Sequence, residues 1–401
     1  MNESTGGKGS REQFANVRLP LESAACVDIV VEDGRIAHIE RHTREPQWTL
    51  FPPLADLHVH ANRAYTASPT PPSSLDHAIQ MVDEIFREFG ETEYARHAGL
   101  LFAKALGCGT TRLRTHADIN HLTGLKSIRG TLQAREEYAD SLDVEVVAFA
   151  GAHYDPLDAD VRHGLRDAVA LGATLLGAVP AYYADPCASI DALLDLAAVL
   201  DVGVDVHLDE HLDAARSVSG HFAAAVRLHG LGGRATLSHG CAMSGLDVEQ
   251  RTRVIDAIAS AGITVVCLPN TNLYLQDRRE GAPQRRGLAP LRELASAGVP
   301  LRFASDNVRD AFFPYGSADL LDVAQLIAVA GHIEDPSILV QGICNGCDKI
   351  QVGDEANFVL VPGSTLVDTI AERPRERVVV RRGLPLPALP PVRVPAADGM
   401  S

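Results

Sequence analysis

The sequence predicts an α/β chain: a (β/α)8 barrel of the TIM type with a small β-sandwich domain built from both chain ends. Three observations predict it. Eight strand-like apolar runs alternate with helix-like segments through the middle of the chain. Histidines or an aspartate close four of those runs: His58 and His60, His207, His239 and Asp306. Short β-like pieces occupy both ends.

The elements follow in order. Residues 1–15 are polar, lack the apolar stretch of a signal peptide and read as a disordered tail. Within 16–50, two strand-like pieces, 26–32 and 35–40, flank Asp33-Gly34, a strong hairpin signal. The barrel spans 51–349, with strands expected at 54–60, 110–117, 144–150, 174–180, 204–208, 235–239, 264–269 and 301–305. Helical periodicity marks 94–106, 190–200, 248–261 and 288–297 between them. Strand-like runs return at 352–362 and 377–383, so 350–385 joins 16–50 in the small β-domain. Residues 386–401, rich in Pro and Ala, read as a disordered tail.

Composition bounds the function. The chain has 401 residues, 46% of them hydrophobic, enough for a sizeable core. No apolar run approaches the roughly 18 residues of a membrane span. A net charge of −16 argues against nucleic acid and anionic membranes as partners and suits a neutral or cationic small substrate. The 7 cysteines are an odd count and do not read as a disulfide framework, so a reducing cytoplasm is expected. Cys344-Asn345-Gly346-Cys347 has no second pair at zinc-site spacing and reads as two ordinary thiols. No phosphate-cradling glycine motif is present.

The polar ends of the apolar runs carry the chemistry. Side chains alternate along a strand, so His58 and His60 project from one face with Val59 on the other. Alone, His-x-His is a weak signal among 16 histidines; its strength comes from His207, His239 and Asp306 at later strand ends, where a barrel collects them on one rim. Imidazoles and a carboxylate gathered on one rim suit a divalent metal, Zn2+ or Fe2+. Such a cation brings the pKa of its water toward about 7. Glu210, three residues after His207, is the candidate to move protons.

At these residues the chain resembles the amidohydrolase superfamily, and within it the cytosine-deaminase branch. The matching stretches are His58-Val59-His60, the run 204–210, Leu237-Ser238-His239-Gly240, and Asp306-Asn307 with Phe312-Phe313-Pro314-Tyr315-Gly316. The run 268–276 with Arg285-Arg286-Gly287 also matches. The resemblance implies that His58, His60, His207 and Asp306 bind one metal, that Glu210 is the proton shuttle, and that His239 positions the attacking water. It implies that 273–286, including Gln276, and Phe312 border the substrate pocket, and that the protein is a homo-oligomer. Relatives with two metals use a lysine after strand four; Lys8, Lys104, Lys126 and Lys349 all lie elsewhere, so one metal is expected.

The chain departs from the cytosine-deaminase pattern at three places. Phe149-Ala150-Gly151 replaces a substrate-binding glutamine after strand three, Ala61-Asn62 replaces Leu-Asp, and Asn307 replaces a second acid. The hydrolytic core is intact while cytosine is disfavoured as substrate. Arg114 and His153 are substrate-binding candidates with Asn307, although Arg114 reads equally as a structural ion pair at the rim. His116 reads as a core histidine, and His211, His221 and His229 as surface residues. The leading expectation is a hydrolase that releases ammonia or an amine from an aminopyrimidine, aminotriazine or cyclic guanidine. A ring-opening cyclic-amide hydrolase and a catalytically inactive scaffold are the alternatives.

Overall fold

The computed structural model describes residues 10–22, 26–70, 72–277 and 287–387. Eight parallel strands form the barrel: β1 (Leu54–Val59), β2 (Thr110–Ile119), β3 (Asp143–Ala150), β4 (Leu175–Ala178), β5 (Gly203–Leu208), β6 (Ala235–His239), β7 (Thr264–Cys267) and β8 (Leu301–Phe303). They lie in sequence order, each hydrogen-bonded to the next. The ring closes between β1 and the end of β8, where the Asp306 N–H donates to the His58 carbonyl at 2.9 Å and Val59 bridges Asp306 in parallel. The Asp56 carboxylate accepts the Ser305 N–H at 3.0 Å and pins the same seam.

Every expected barrel strand forms, and proline explains two of the shifted ends. The expected 264–269 stops at Cys267 because Pro269 starts a short helix, Pro269–Leu275, where its fixed φ suits the first helical position. The expected 174–180 stops at Ala178 before a 3-10 turn at Pro180–Tyr182. Helices cover the outside. Asp158, Asp185, Asp247, Asp319 and Asp335 each cap one by accepting a backbone N–H, a contact worth about 0.5–2 kcal/mol. Leu75–Glu88, here α1, belongs to the long connection between β1 and β2.

Both chain ends meet in one seven-stranded sheet. Trp48–Phe51 pairs in parallel with Arg11–Arg18 and antiparallel with Phe358–Pro362. The Asp33-Gly34 hairpin forms with φ of 50° and 77°, as a tight primed turn requires. The two faces of the expected sandwich are one continuous sheet that curls over its own core. The rings of Phe14 and Phe358 meet at 5.1 Å although the strand Trp48–Phe51 separates theirs. The boundary at residue 16 is corrected. Arg11–Arg18 is a strand whose polar start, Arg11-Glu12-Gln13, hides it from a hydrophobic pattern. Of the expected C-terminal tail, Leu386 bonds to Val379, and the residues from 388 on lie outside the described ones.

All 7 cysteines are free, Cys344 buried and Cys347 exposed. Among the described residues, no helix is long and apolar enough to cross a membrane.

The helix Pro336–Ile343 packs on β8 at Gly342, where a Cβ would collide with the Phe303 ring. Gly342→Ala is therefore expected to cost about 1–3 kcal/mol through overpacking. Thermal denaturation should show a lowered midpoint.

Candidate active site at the barrel mouth

The site lies at the C-terminal ends of the strands, where loops meet a rigid barrel. Val59 packs outward among Ala98, Leu101 and Phe102 of the helix Glu91–Gly107. Alternation therefore turns His58 and His60 inward. Nε2 of His207 stands 3.2 Å from Nε2 of His58 and 3.1 Å from Nε2 of His60. Asp306 Oδ1 lies 3.5 Å from His60 Nε2 and 3.8 Å from His58 Nε2. Donors about 2.1 Å from a tetrahedral ion stand roughly 3.4 Å apart, so this cluster has the dimensions of a metal site. Asp209, His239 and Asp306 adopt left-handed φ values of 54°, 75° and 61°. Such strain recurs where a rim is built for function.

Protonation agrees with that reading. Burial, with His116 next, pushes the His58 imidazole down to about 3. Burial likewise holds His60, His207 and His239 well below the usual range, with Arg63 the next cause for His60 and His58 for the other two. Neutral imidazole is the form that binds a metal. Tautomers follow from the supports. Ser238 gives its hydroxyl proton to Asp205 (2.6 Å), so it accepts from His58 Nδ1 (2.9 Å) and leaves Nε2 free as a donor to a metal. Asp306 is raised well above the usual carboxylate range by burial and then by Glu210, and its Oδ2 has no partner. A cation would supply one, so the residues present fit a divalent metal.

Glu210 stands beside this cluster, Oε1 3.7 Å from His239 Nδ1. Burial pushes its carboxyl up to about 7, against the lowering pull of Arg63. Its neighbour Asp209 accepts from the hydroxyls of Ser217 and Ser219 and from the Val218 N–H, which folds the loop after β5 so that Glu210 lines the cavity. His239 contacts the amide of Asn272 through Nδ1 at 3.0 Å, and its buried Nε2 is unpartnered.

The cavity over these groups is walled by Phe149, Val179, Tyr182 and Phe312, and by Leu75, Ile79, Val82 and Phe86 of α1. Those four helix positions form one apolar stripe. The Tyr182 hydroxyl donates to Asp76 at 3.3 Å and ties α1 across the mouth.

The structure brings together His58, His60, His207, His239, Asp306 and Glu210, and places Asn307 and Phe312 on the cavity wall. Three substrate candidates do not reach it. Arg114 lies at the opposite end of the barrel, bonded to Glu145, Asp205 and Thr236. Alternation predicted its inward direction but not its depth. His153 is exposed outside the wall, its ring 6.2 Å from that of Tyr182. Gln276 is buried behind the site and accepts the Gly287 N–H at 2.8 Å. Arg285 and Arg286 lie outside the described residues. His116 is fully buried against the His58 ring, centroids 4.0 Å apart, with Nε2 3.5 Å from Asp205. His221 and His229 pair with Asp191 and Asp195.

Sequence reading missed Arg63, Asp118 and α1. Arg63 is buried, its guanidinium 4.5 Å above the Phe312 ring, and Asp118 stands beside it at the end of β2. Their signals were present but unmarked: three residues past His60, and on the same strand face as His116.

Comparison with known proteins extends this picture. The amidohydrolase family matches residues 110–337, more than half of the chain. A pterin deaminase from Rhizobium rhizogenes is 29% identical, covering 90% of this chain and 88% of its own. The N-isopropylammelide isopropyl amidohydrolase of Pseudomonas sp. is 26% identical over 83% and 84%. Among solved structures, 5-methylcytosine deaminase from Klebsiella pneumoniae superposes with a TM-score of 0.85 at 23% identity, over 94% of this chain and 97% of that one. The N-isopropylammelide isopropylaminohydrolase of Burkholderia multivorans gives 0.78 at 26%, over 94% and 98%. The chain belongs to the amidohydrolase family and is a hydrolase of carbon–nitrogen bonds.

Proposed function

We propose that the chain is a metal-dependent deaminase that hydrolytically releases ammonia or an amine from a flat nitrogen heterocycle. The observation that carries this reading is Glu210, a carboxyl held near neutrality beside a cluster of metal-type donors in a cavity walled by Phe149, Phe312 and the apolar stripe of α1. The names of the relatives support it. Pterin and N-isopropylammelide are both planar, oxo-bearing rings with a nitrogen substituent on a ring carbon.

His58, His60, His207 and Asp306 would hold one divalent cation, zinc or ferrous iron by donor type. Bound there, it supplies Lewis acidity and a water that ionises near neutral pH. The chain's own residues supply the rest. The unpartnered His239 Nε2 orients the attacking water. Glu210 takes one proton of that water on a carboxylate oxygen and gives it to the ring nitrogen beside the carbon under attack; it then takes the second proton, from the hydroxyl added to that carbon, and gives it to the amine as the carbon–nitrogen bond breaks. Phe149, Phe312 and the α1 stripe exclude bulk water and press on the ring faces. Phe149 offers no hydrogen bond, which disfavours a ring that needs an amide at the end of β3.

Zinc- or iron-loaded protein is expected to release ammonia or an amine from a panel of pterin, aminopyrimidines and aminotriazines. Ring-opened product without either would overturn the proposal. Glu210→Gln should retain one metal per chain by elemental analysis and lose about 10²–10⁴ in kcat. Glu210 accepts a proton only when ionised, so kcat/KM should fall as pH drops through its pKa. Burial sets that at about 7 and a bound cation lowers it, so the acid limb should lie at or below about 7. The limb should vanish in Glu210→Gln.

A further inference from the structure

Beyond the metal cluster and Glu210, the cavity's polar wall among the described residues comes from Asn307, Asn120, Asp118, Arg63, Asp83 and Tyr182. Asp83 of α1 is only half-buried, and the Tyr182 hydroxyl is tied to Asp76. Asn307 donates to Thr271 (3.1 Å) and Asp306 (2.8 Å) and accepts from Arg63 (3.2 Å). Asn120 uses Oδ1 to accept the Leu122 and Thr123 N–H groups. Asp118 and Arg63 differ. Asp118 Oδ2 accepts from Asn62 at 2.8 Å, but Oδ1 has only the Arg63 guanidinium, at 3.5 Å. Arg63 has five N–H groups. Three engage Asp310, Asp118 and Asn307 at long distances of 3.2–3.5 Å, so two remain. Both side chains are nearly buried, at 3% and 5% exposure, and both line the cavity.

An open acceptor therefore stands beside open donors in a pocket that a flat ring would fill. A ring that displaces water must satisfy both, or each is left unpaired at a cost. Asp118 and Asp310 already balance the Arg63 charge, so the subsite suits a neutral carbonyl better than a carboxylate. Asn307 links Arg63 to Asp306, accepting from the first and donating to the second, and Arg63, Asp118 and Glu210 line the same cavity. The subsite thus adjoins the reacting carbon.

We propose that Asp118 and Arg63 are specificity-determining residues that read a lactam edge of the substrate. Asp118 accepts the ring N–H and Arg63 donates to the adjacent carbonyl. This rests on the deaminase reading and narrows it to neutral 2-amino-4-oxo heterocycles, in which the lactam N–H adjoins the amine-bearing carbon. The edge is read from the ends of β1 and β2, because Phe149 on β3 carries no polar atom.

The test uses metal-loaded Glu210→Gln, titrated with pterin and with 3-methylpterin, in which an N–CH3 replaces the lactam N–H, and followed by ligand fluorescence. Pterin should bind at least about thirty-fold more tightly. Adding Asp118→Ala should bring the ratio within about threefold by weakening pterin alone. Equal binding of the two ligands, binding of neither, or a preference that survives Asp118→Ala overturns the subsite. The ligand comparison needs no change at Asp118, so poor folding of that variant does not blunt it. Ammonia release by unsubstituted holoprotein is measured alongside. Release from pterin without the binding preference sinks the subsite alone, and the preference without release from any heterocycle sinks the deaminase reading alone.

Discussion

Exclusion of water from the barrel axis is the constraint on which the site depends. His58, His60, His207 and His239 are almost fully buried, as are Asp205 and Asp306. In such a space charge is costly, so imidazoles lose protons and lone carboxyls keep them. The same force keeps the clustered imidazoles neutral and brings Glu210 near neutrality. Asp205 is the exception. Burial opposes its ionisation, yet contacts with His116 and His58 outweigh that and hold it well below the usual carboxylate range. Asp205 is thus stabilised as a carboxylate by the protein itself, whereas Asp306 is left for a cation.

That contrast explains Arg114. Its guanidinium meets Asp205 at 3.0 Å, Asp205 takes the Ser238 hydroxyl proton, and Ser238 receives the His58 N–H. A line of hydrogen bonds runs from the barrel floor to His58 and fixes the orientation of its ring. The residue expected to touch substrate bears on His58 from below instead.

Much of this was legible in the sequence because strand periodicity and site chemistry coincide. The run that buries Leu54 and Leu57 also delivers His58 and His60, so one pattern reports both the strand and its cargo. Direction is readable from alternation, as for Arg114, whereas depth depends on how strands stagger in the barrel and leaves no mark on one strand's residues. Arg63 follows a strand end in a 3-10 turn, where no period applies, and only its partners Asp118, Asn307 and Asp310 show that it is buried. Helix α1 carries a clear apolar stripe, but a stripe does not say whether it faces a core or a cavity.

The joining of both termini in a single sheet has a consequence for biosynthesis. Trp48–Phe51 emerges from the ribosome some 300 residues before its neighbour Phe358–Pro362. At about 5–20 residues per second, that is roughly 15–60 s with an unpaired edge. An open edge invites pairing with other chains. The nascent polypeptide thus carries this open edge through most of its synthesis, and the edge is covered only once Phe358–Pro362 has been made.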